Sequence, residues 1–462
     1  MQLFGSSGIR GIVNVDLSPL QISEIGLSLA TLTDSGKVIL GCDTRVSSPM
    51  LEMALISGLL AGGCLVLVLG IVPTPVLAYL TKNMGAEAGV MITASHNPPE
   101  YNGVKFFSGD GMAYSDEQQL NLEEIFTKRR FQRVSWNAIG GKVCVNEVSR
   151  YVSMITSNIH LTRQWRIVMD CGSGSTFNLA PSIMRELGCN VMTLNAQPDG
   201  YFPGRSPEPA PDSTVALQAT VQRLGADIGV AFDGDGDRMS VIDKNGIFVS
   251  PDQLLAAYSS HLIQREGGGN IITQVDTSMC VEKLVESLGG KVIRTKVGDV
   301  YIAAGIKEHK GIFGGEPCGA WIHPRYNLCP DGLLSFALLL QALEERGETL
   351  FQFISTVPTY PILRKKIACP NELKTKVMRR LQETLPAAFS KMYEMLTVDG
   401  IRLRLAEGWL LVRPSGTEPI LRVTVEARTH DLVEHLLNTC FKIISTSLRE
   451  ARKSESYGSS CR

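Results

Sequence analysis

The sequence predicts an α/β protein in its first three-quarters, built as three similar domains, with a smaller α+β domain at the end. One ground is the alternation of apolar, strand-like runs with helical patterns, which builds layers of helices on sheets. Another is a weak internal repeat. Three times, an apolar strand runs into an acidic loop, a second β-rich segment follows a glycine, and a third segment ends in a distinctive loop. The last is a change of pattern near residue 360, beyond which strand-like segments succeed one another between two helical ones. The length, 462 residues, is too great for one ordinary core and suggests about three or four domains.

The first domain reads as residues 1–148. Its strands are Val38–Leu40 leading to Asp43, then Leu65–Val68, then Val90–Thr93 before Ser95. In the second, 149–248, the matching segments are Ile167–Met169 leading to Asp170, Val191–Leu194, and Ile228–Phe232 before Asp233. The third, 249–360, has Ile271–Ile272 leading toward Asp276, Val292–Thr295, and Gly311–Phe313 before Glu316. Helical patterns lie between them, among them Gly332–Arg346, which Asp331 can cap and Gly347 can end. Loops at the strand ends of such sheets are where ligands usually bind. The fourth domain, 361–450, opens on Ile362–Lys366 and continues as a helical stretch from Asn371 to about Met395. Strand-like Gly400–Leu405, Trp409–Val412 and Leu421–Glu426 then lead into a helix over Asp431–Leu448. The polar tail after Arg449 is expected to fray.

Apolar and charged fractions of 44% and 20% are those of a soluble globular protein, and a net charge of -1 gives no reason to expect nucleic acid as a partner. The most apolar stretch, Cys64 to Leu80, is broken by Gly70, Pro73 and Pro75, so no membrane span of about 18 residues is expected. The first residues have neither the basic start nor the apolar core of a signal peptide. Eleven cysteines, without a C-x-x-C pair, read as scattered buried thiols in a reducing cytoplasm.

The most informative stretch is Ala231–Phe232–Asp233–Gly234–Asp235–Gly236–Asp237–Arg238. Three carboxylates at alternate positions repel one another unless a divalent cation neutralises them, and hard oxygen ligands suit Mg²⁺ or Ca²⁺. The glycines let the backbone turn each carboxylate toward one point. A solvated acidic turn is the bland alternative. An EF-hand is excluded, because Arg238 stands where its loop needs glycine and Lys244 where it needs glutamate.

Other loops carry weaker signals. In Thr93–Ala94–Ser95–His96–Asn97–Pro98–Pro99 the prolines prevent helix, so Ser95 is expected on an exposed turn. No G-x-S-x-G elbow surrounds it, so the adjacent Ser95 and His96 do not read as a hydrolase pair. Lys105, in Tyr101–Asn102–Gly103–Val104–Lys105, could hold a phosphate, shuttle a proton or simply be solvated. Arg413–Pro414–Ser415–Gly416–Thr417–Glu418–Pro419, with Arg422 beyond, offers a cation, two hydroxyls and an open backbone to a dianionic phosphate. It is not a Walker loop, since no G-K-[ST] follows; a plain hairpin turn is the alternative. Glu316, in Gly314–Gly315–Glu316–Pro317–Cys318–Gly319, could accept bonds from sugar hydroxyls or merely sit in a turn. Lys296, and the glycine-rich loop from Phe4 to Gly11 with Arg10, are ambiguous alone.

Taken in order, T-A-S-H-N-P, D-G-D-G-D-R, G-G-E-P-C-G and R-P-S-G-T-E-P resemble the motifs of the α-D-phosphohexomutase family, and the match runs the length of the chain. The resemblance implies three similar α/β domains with mixed sheets plus a C-terminal α+β phosphate-binding domain around a central cleft. It implies that Ser95 is carried as a phosphoserine and passes its phosphoryl group to a hexose monophosphate, with a hexose bisphosphate as intermediate or activator. Ser95, Asp233, Asp235 and Asp237 would hold one Mg²⁺. Arg238, Lys105 and Arg10 would balance the remaining negative charge, and Lys105 or His96 would exchange the sugar hydroxyl proton. Glu316, Cys318 and Lys296 would contact the sugar, while Arg413, Ser415, Gly416, Thr417 and Arg422 would dock the phosphate that is not reacting. The terminal domain is then expected to hinge near residue 360.

The glycine-doubled Glu316 loop, the N-terminal loop from Leu3 to Gly11 and Arg413–Pro414–Ser415 look most like the archaeal branch of that family, which implies an amino-sugar isomerase of the cytoplasm interconverting glucosamine 6-phosphate and glucosamine 1-phosphate. Glucose or mannose phosphates are the alternative substrates. Bacterial members acting on glucosamine phosphate show G-E-Q-S-G-H where this chain has Cys318 for serine and Ala320 for histidine, and a thiol is a poor hydrogen-bond partner. Two rivals stand outside the resemblance. One is a phosphatase of the haloacid-dehalogenase type, since Asp233–Gly234–Asp235–Gly236 satisfies D-x-D-G; the other is a non-catalytic sugar-phosphate sensor.

Overall fold

The computed structural model of the chain describes residues 3–5, 8–389, 392–416 and 418–458. Four sheets follow one another along it. The first contains β1 (Ile9–Ile12), β2 (Lys37–Cys42), β3 (Leu65–Ile71), β4 (Ala88–Ile92), β5 (Tyr101–Ser108) and β6 (Gly141–Cys144), in the order β1-β5-β4-β2-β3-β6. The second orders β7 (Arg166–Asp170), β8 (Asn190–Leu194), β9 (Ile228–Phe232) and β10 (Met239–Asp243) as β10-β9-β7-β8. The third orders β11 (Asn270–Gln274), β12 (Lys291–Thr295), β13 (Gly311–Gly315) and β14 (Trp321–Ile322) as β12-β11-β13-β14.

One topology recurs in all three sheets. The second strand, the first and the third run parallel in that spatial order, and a fourth returns antiparallel beside the third. The repeat legible in the sequence is this unit, and the sheets are mixed because of the returning strand. Those returns, β5, β10 and β14, were not expected as strands. In β5 the reason is plain: Asn102 and Lys105 are buried polar residues within it, so period-2 alternation is lost. Lys105 therefore stands buried on a strand and is not a solvated residue. Ile9–Ile12, expected as part of a glycine-rich loop, is likewise a strand, pairing Arg10 with Gly103.

The fourth sheet is antiparallel throughout: β15 (Ile362–Ala368), β16 (Met392–Leu396), β17 (Ile401–Leu405), β18 (Gly408–Pro414) and β19 (Ile420–Ala427), ordered β15-β19-β18-β17-β16. Helices Asn371–Ala387 and His430–Gly458 pack Val377, Leu381, Val433, Cys440 and Ile444 against Leu403, Leu410 and Val425. Two expectations need correction. The helix from Asn371 ends at Ala387, and Met392–Leu396 is a strand. Met, Glu and Leu favour helix intrinsically, but pairing with β17 overrides that weak preference. The chain after Arg449 also continues as helix to Gly458, through Glu, Ala, Arg and Lys, all good helix formers.

A continuous apolar core joins the first three domains, running from Ile39 and Leu77 through Tyr151 and Phe232 to Phe313 and Leu339. The terminal domain meets the third differently. There the carboxylate of Glu426, on β19, accepts Ser278 Oγ at 2.6 Å, Met279 N at 2.7 Å and Trp409 Nε1 at 2.5 Å. The ten described cysteines are free and eight are buried; no described helix is long and apolar enough to cross a membrane.

Candidate active site

The three chemistry-bearing loops occupy one position of the repeat. Each joins a third strand to its antiparallel return: 93–100 carries Ser95, 233–238 carries the aspartates, and 316–320 carries Glu316. The acidic residues that end the first strands brace two of these loops. Asp43 holds Arg45 at 3.0 Å, and that guanidinium donates to the carbonyls of Ser95, Asn97, Pro98 and Tyr101 at 2.6–2.9 Å. Asp170 holds Arg205 at 2.9 Å, which donates to the Phe232 carbonyl at 2.6 Å, one residue before Asp233. So fixed, Ser95 sits at φ 51°, in the left-handed region that side chains seldom adopt. Contrary to the expected exposed turn, it is buried.

Across the domain boundary the Ser95 and aspartate loops touch. Ser95 Oγ donates to Asp233 Oδ2 at 2.7 Å and lies 3.3 Å from His96 Nδ1. A Cβ on Gly234 would fall 2.5 Å from the Ser95 carbonyl oxygen, so glycine is what lets the two loops approach. Gly236 turns the backbone at φ 75° between the second and third aspartates. Lys105 Nζ donates to Asp235 Oδ2 at 2.7 Å and Asp237 Oδ2 at 2.6 Å. Arg238 donates its backbone N–H to Asp233 Oδ1 at 3.1 Å and its side chain to Glu208 at 3.1 Å.

One oxygen from each aspartate lies within 4.8 Å of the others, and all three residues are buried. Asp235 Oδ1 and Asp237 Oδ1 are buried with no hydrogen-bond partner among the described residues. Buried carboxylates gathered this closely, with oxygens that take no hydrogen bond, are the donor set a hard divalent cation requires. The triad therefore fits a metal ion.

Burial and the charges of Asp237 and Asp235 push the Asp233 carboxyl well above the carboxylate range. Burial acts on Asp235 too, but Lys105 and Thr74 outweigh it and hold that carboxyl below its ordinary value. Lys105 is in turn held protonated by Asp235 and Asp237 against the cost of burial. His96 is pushed down to about 3 by burial and by Arg238, Arg10 and Lys105, so it is a neutral imidazole near pH 7. Glu316 is pushed up to about 8 by burial and then by Asp299; the Cys318 thiol is its described hydrogen-bond partner, at 3.9 Å.

A cavity of about 230 Å³ brings together Arg10, Ser95, His96, Lys105, Asp237, Arg238 and Glu316. Other expected residues lie outside its walls. Lys296 pairs with Asp116 at 3.5 Å and rests on the Tyr301 ring. Arg413 pairs with Asp399 and Arg422 with Glu418, at 3.0 and 2.9 Å. Ser415 Oγ accepts Glu418 N–H, Gly416 is open, and Thr417 lies outside the described residues. Sequence reasoning missed Arg45, Arg205, Glu208, Asp299 and Thr74; only the strand-end acids Asp43 and Asp170 hinted that partners were needed.

A serine and a carboxylate trio that fits a metal ion, meeting in a cleft walled by three like domains, are the features of an isomerase of the phosphohexomutase class. Models of the phosphoglucomutase/phosphomannomutase α/β/α domains I, II and III match residues 1–133, 149–246 and 250–360, and that of the C-terminal domain matches 365–442. The chain belongs to the phosphoglucomutase/phosphomannomutase family. It is 44% identical over 448 residues to a probable phosphoglucosamine mutase of Pyrococcus horikoshii, covering 97% of this chain and 98% of that protein. With a probable phosphoglucosamine mutase of Methanothermobacter thermautotrophicus it shares 46% identity, covering 94% and 96%. A phosphoglucomutase/phosphomannomutase family protein from Burkholderia thailandensis has a similar structure, with TM-score 0.87, 28% identity and coverage of 96% and 97%.

Proposed function

We propose that this chain is a cytoplasmic phosphoglucosamine mutase, interconverting glucosamine 6-phosphate and glucosamine 1-phosphate by way of a phosphoserine at Ser95 and a hexose bisphosphate. The observation that carries the proposal is the 2.7 Å contact of Ser95 Oγ with Asp233 beside the oxygens of Asp235 and Asp237 that take no hydrogen bond. The near-full-length likeness to archaeal proteins named for glucosamine phosphate supports the choice of sugar.

Asp233, Asp235 and Asp237, with a phosphoserine oxygen, would hold one Mg²⁺, which when bound supplies neutralising charge for a transferring phosphoryl group. In the step itself the bond between Ser95 Oγ and phosphorus breaks as one forms from a sugar hydroxyl oxygen, and the hydroxyl proton leaves. His96, uncharged and within 3.3 Å of Ser95 Oγ, is the acceptor within reach. Lys105, fixed as an ammonium between two aspartates, serves as a cation beside the transferred group, with Arg238 and Arg10. Glu316 would grip ring hydroxyls, with Cys318 and Lys296 adding contacts. The distal phosphate would draw Arg413 and Arg422 from Asp399 and Glu418 onto itself, joined by Ser415, Gly416 and Thr417, as the terminal domain turns inward near residue 360.

The test is twofold. Mass spectrometry of purified protein should find phosphate on the Ser95 peptide, and its absence after exposure to a hexose bisphosphate would sink the phosphoserine. Rates on glucosamine, glucose and mannose 6-phosphates should be highest on the first; preference for glucose or mannose would reassign the substrate within the family.

A further inference from the structure

Three successive carbonyls of the aspartate loop are held by N–H groups from three different domains. Gly234 O accepts from Ser175 at 2.9 Å, Asp235 O from Thr74 at 2.8 Å, and Gly236 O from Gly332 at 3.2 Å. Thr74 goes further than the others. Its hydroxyl donates to Asp235 Oδ2 at 2.6 Å, a bond spanning 161 residues, and it is buried. Thr74 is the first residue of helix Thr74–Asn83, whose N-cap is Pro73, so the hydroxyl serves no cap of its own helix. The same Oδ2 takes the Lys105 ammonium at 2.7 Å, while Oδ1 has no partner.

Two donors on one oxygen fix the rotation of a carboxylate. Lys105 alone would not do so, because its flexible stem and rotatable ammonium can follow the group as it turns. We propose that Thr74 is a positioning residue for the metal site: it pins Asp235 Oδ2 so that Oδ1 stays turned toward the cation. Hydrogen bonds behind a ligating carboxylate act in this way in metal sites generally, and losing one costs about 10–100-fold in affinity or activity. The inference rests on reading the triad as a metal cradle.

The experiment titrates Mn²⁺ into the full-length wild type, Thr74→Val and Thr74→Ser, following bound metal by calorimetry. Valine keeps the shape and leaves Oδ2 its bond to Lys105, so the fold should persist; Thr74→Ala replaces it if the melting temperature falls. The expected result is Mn²⁺ binding about tenfold weaker in the valine variant and near wild type in serine. The Mg²⁺ concentration for half-maximal turnover should rise in parallel, with KM for the sugar phosphate unchanged. Equal Mn²⁺ affinity in all three proteins would overturn the role of the hydroxyl, and so would a serine variant as weak as valine. Failure of the wild type to bind Mn²⁺ would remove the cradle itself, a separate outcome.

Discussion

Ser95 and Asp233 belong to different domains, 138 residues apart, yet the hydroxyl of one donates to the carboxylate of the other at 2.7 Å. Burial and the charges of Asp237 and Asp235 keep Asp233 well above the carboxylate range. The pair is thus a joint that depends on what else enters the cleft. Ser95→Ala removes the oxygen that would carry phosphate and should lower turnover at least about a thousandfold. Calorimetric binding of glucosamine 6-phosphate should survive; retained turnover would exclude Ser95 as the phosphoryl carrier.

Lys105 makes the shortest ion pairs with the triad, at 2.7 and 2.6 Å. Lys105→Met would leave Asp235 and Asp237 buried without it, a change that typically costs about 3–5 kcal/mol. Millimolar Mg²⁺ should return much of the lost stability, because a divalent ion compensates the same oxygens. Denaturant melts with and without the ion decide the matter. A deficit that Mg²⁺ leaves untouched would mean the triad does not hold it.

Glu426 ties the terminal domain to the third through two donors, Ser278 Oγ and Met279 N–H, and accepts Trp409 of its own sheet as well. In Glu426→Gln an amide N–H₂ must face one of them, at a cost of about 1–3 kcal/mol. The terminal domain should then melt first, and proteolysis near residue 360 should quicken. A single unshifted transition would show that other contacts hold the two together.

Asp331 gives the stability a direction in pH. It caps helix Gly332–Arg346 through Leu334 N–H and accepts the Tyr151 hydroxyl on both oxygens at 2.8 Å. Burial lifts its carboxyl from 3.8 to about 7. Between those values the folded chain binds the extra proton, so stability present at low pH is lost as pH rises through about 7. Asp331→Asn keeps the cap acceptor and should flatten that decline in melting temperature between pH 5 and 8.

Much of the site was legible because its signals are local. The aspartate run, Ser95 between threonine and proline, and Glu316 after its glycines each announce a loop, and the repeat assigned each to the end of a third strand. What escaped is long-range. Nothing near Thr74 mentions Asp235, and Arg45 and Arg205 reveal their purpose only when their guanidiniums reach the loop carbonyls. The returning strand β5 escaped because a buried ammonium, Lys105, interrupts its alternation. Met392–Leu396 escaped because its residues favour helix until β17 lies beside them.

The carbonyl grip on residues 234–236 also bears on how the chain finds its native state. Each sheet closes within its own domain, whereas the grip joins different domains, through segments as far apart as Thr74 and Asp235. Loop-closure entropy makes such junctions late events. After dilution from denaturant, far-ultraviolet dichroism should recover before the capacity to turn over substrate, and the lag between them would time the docking of lobes already formed.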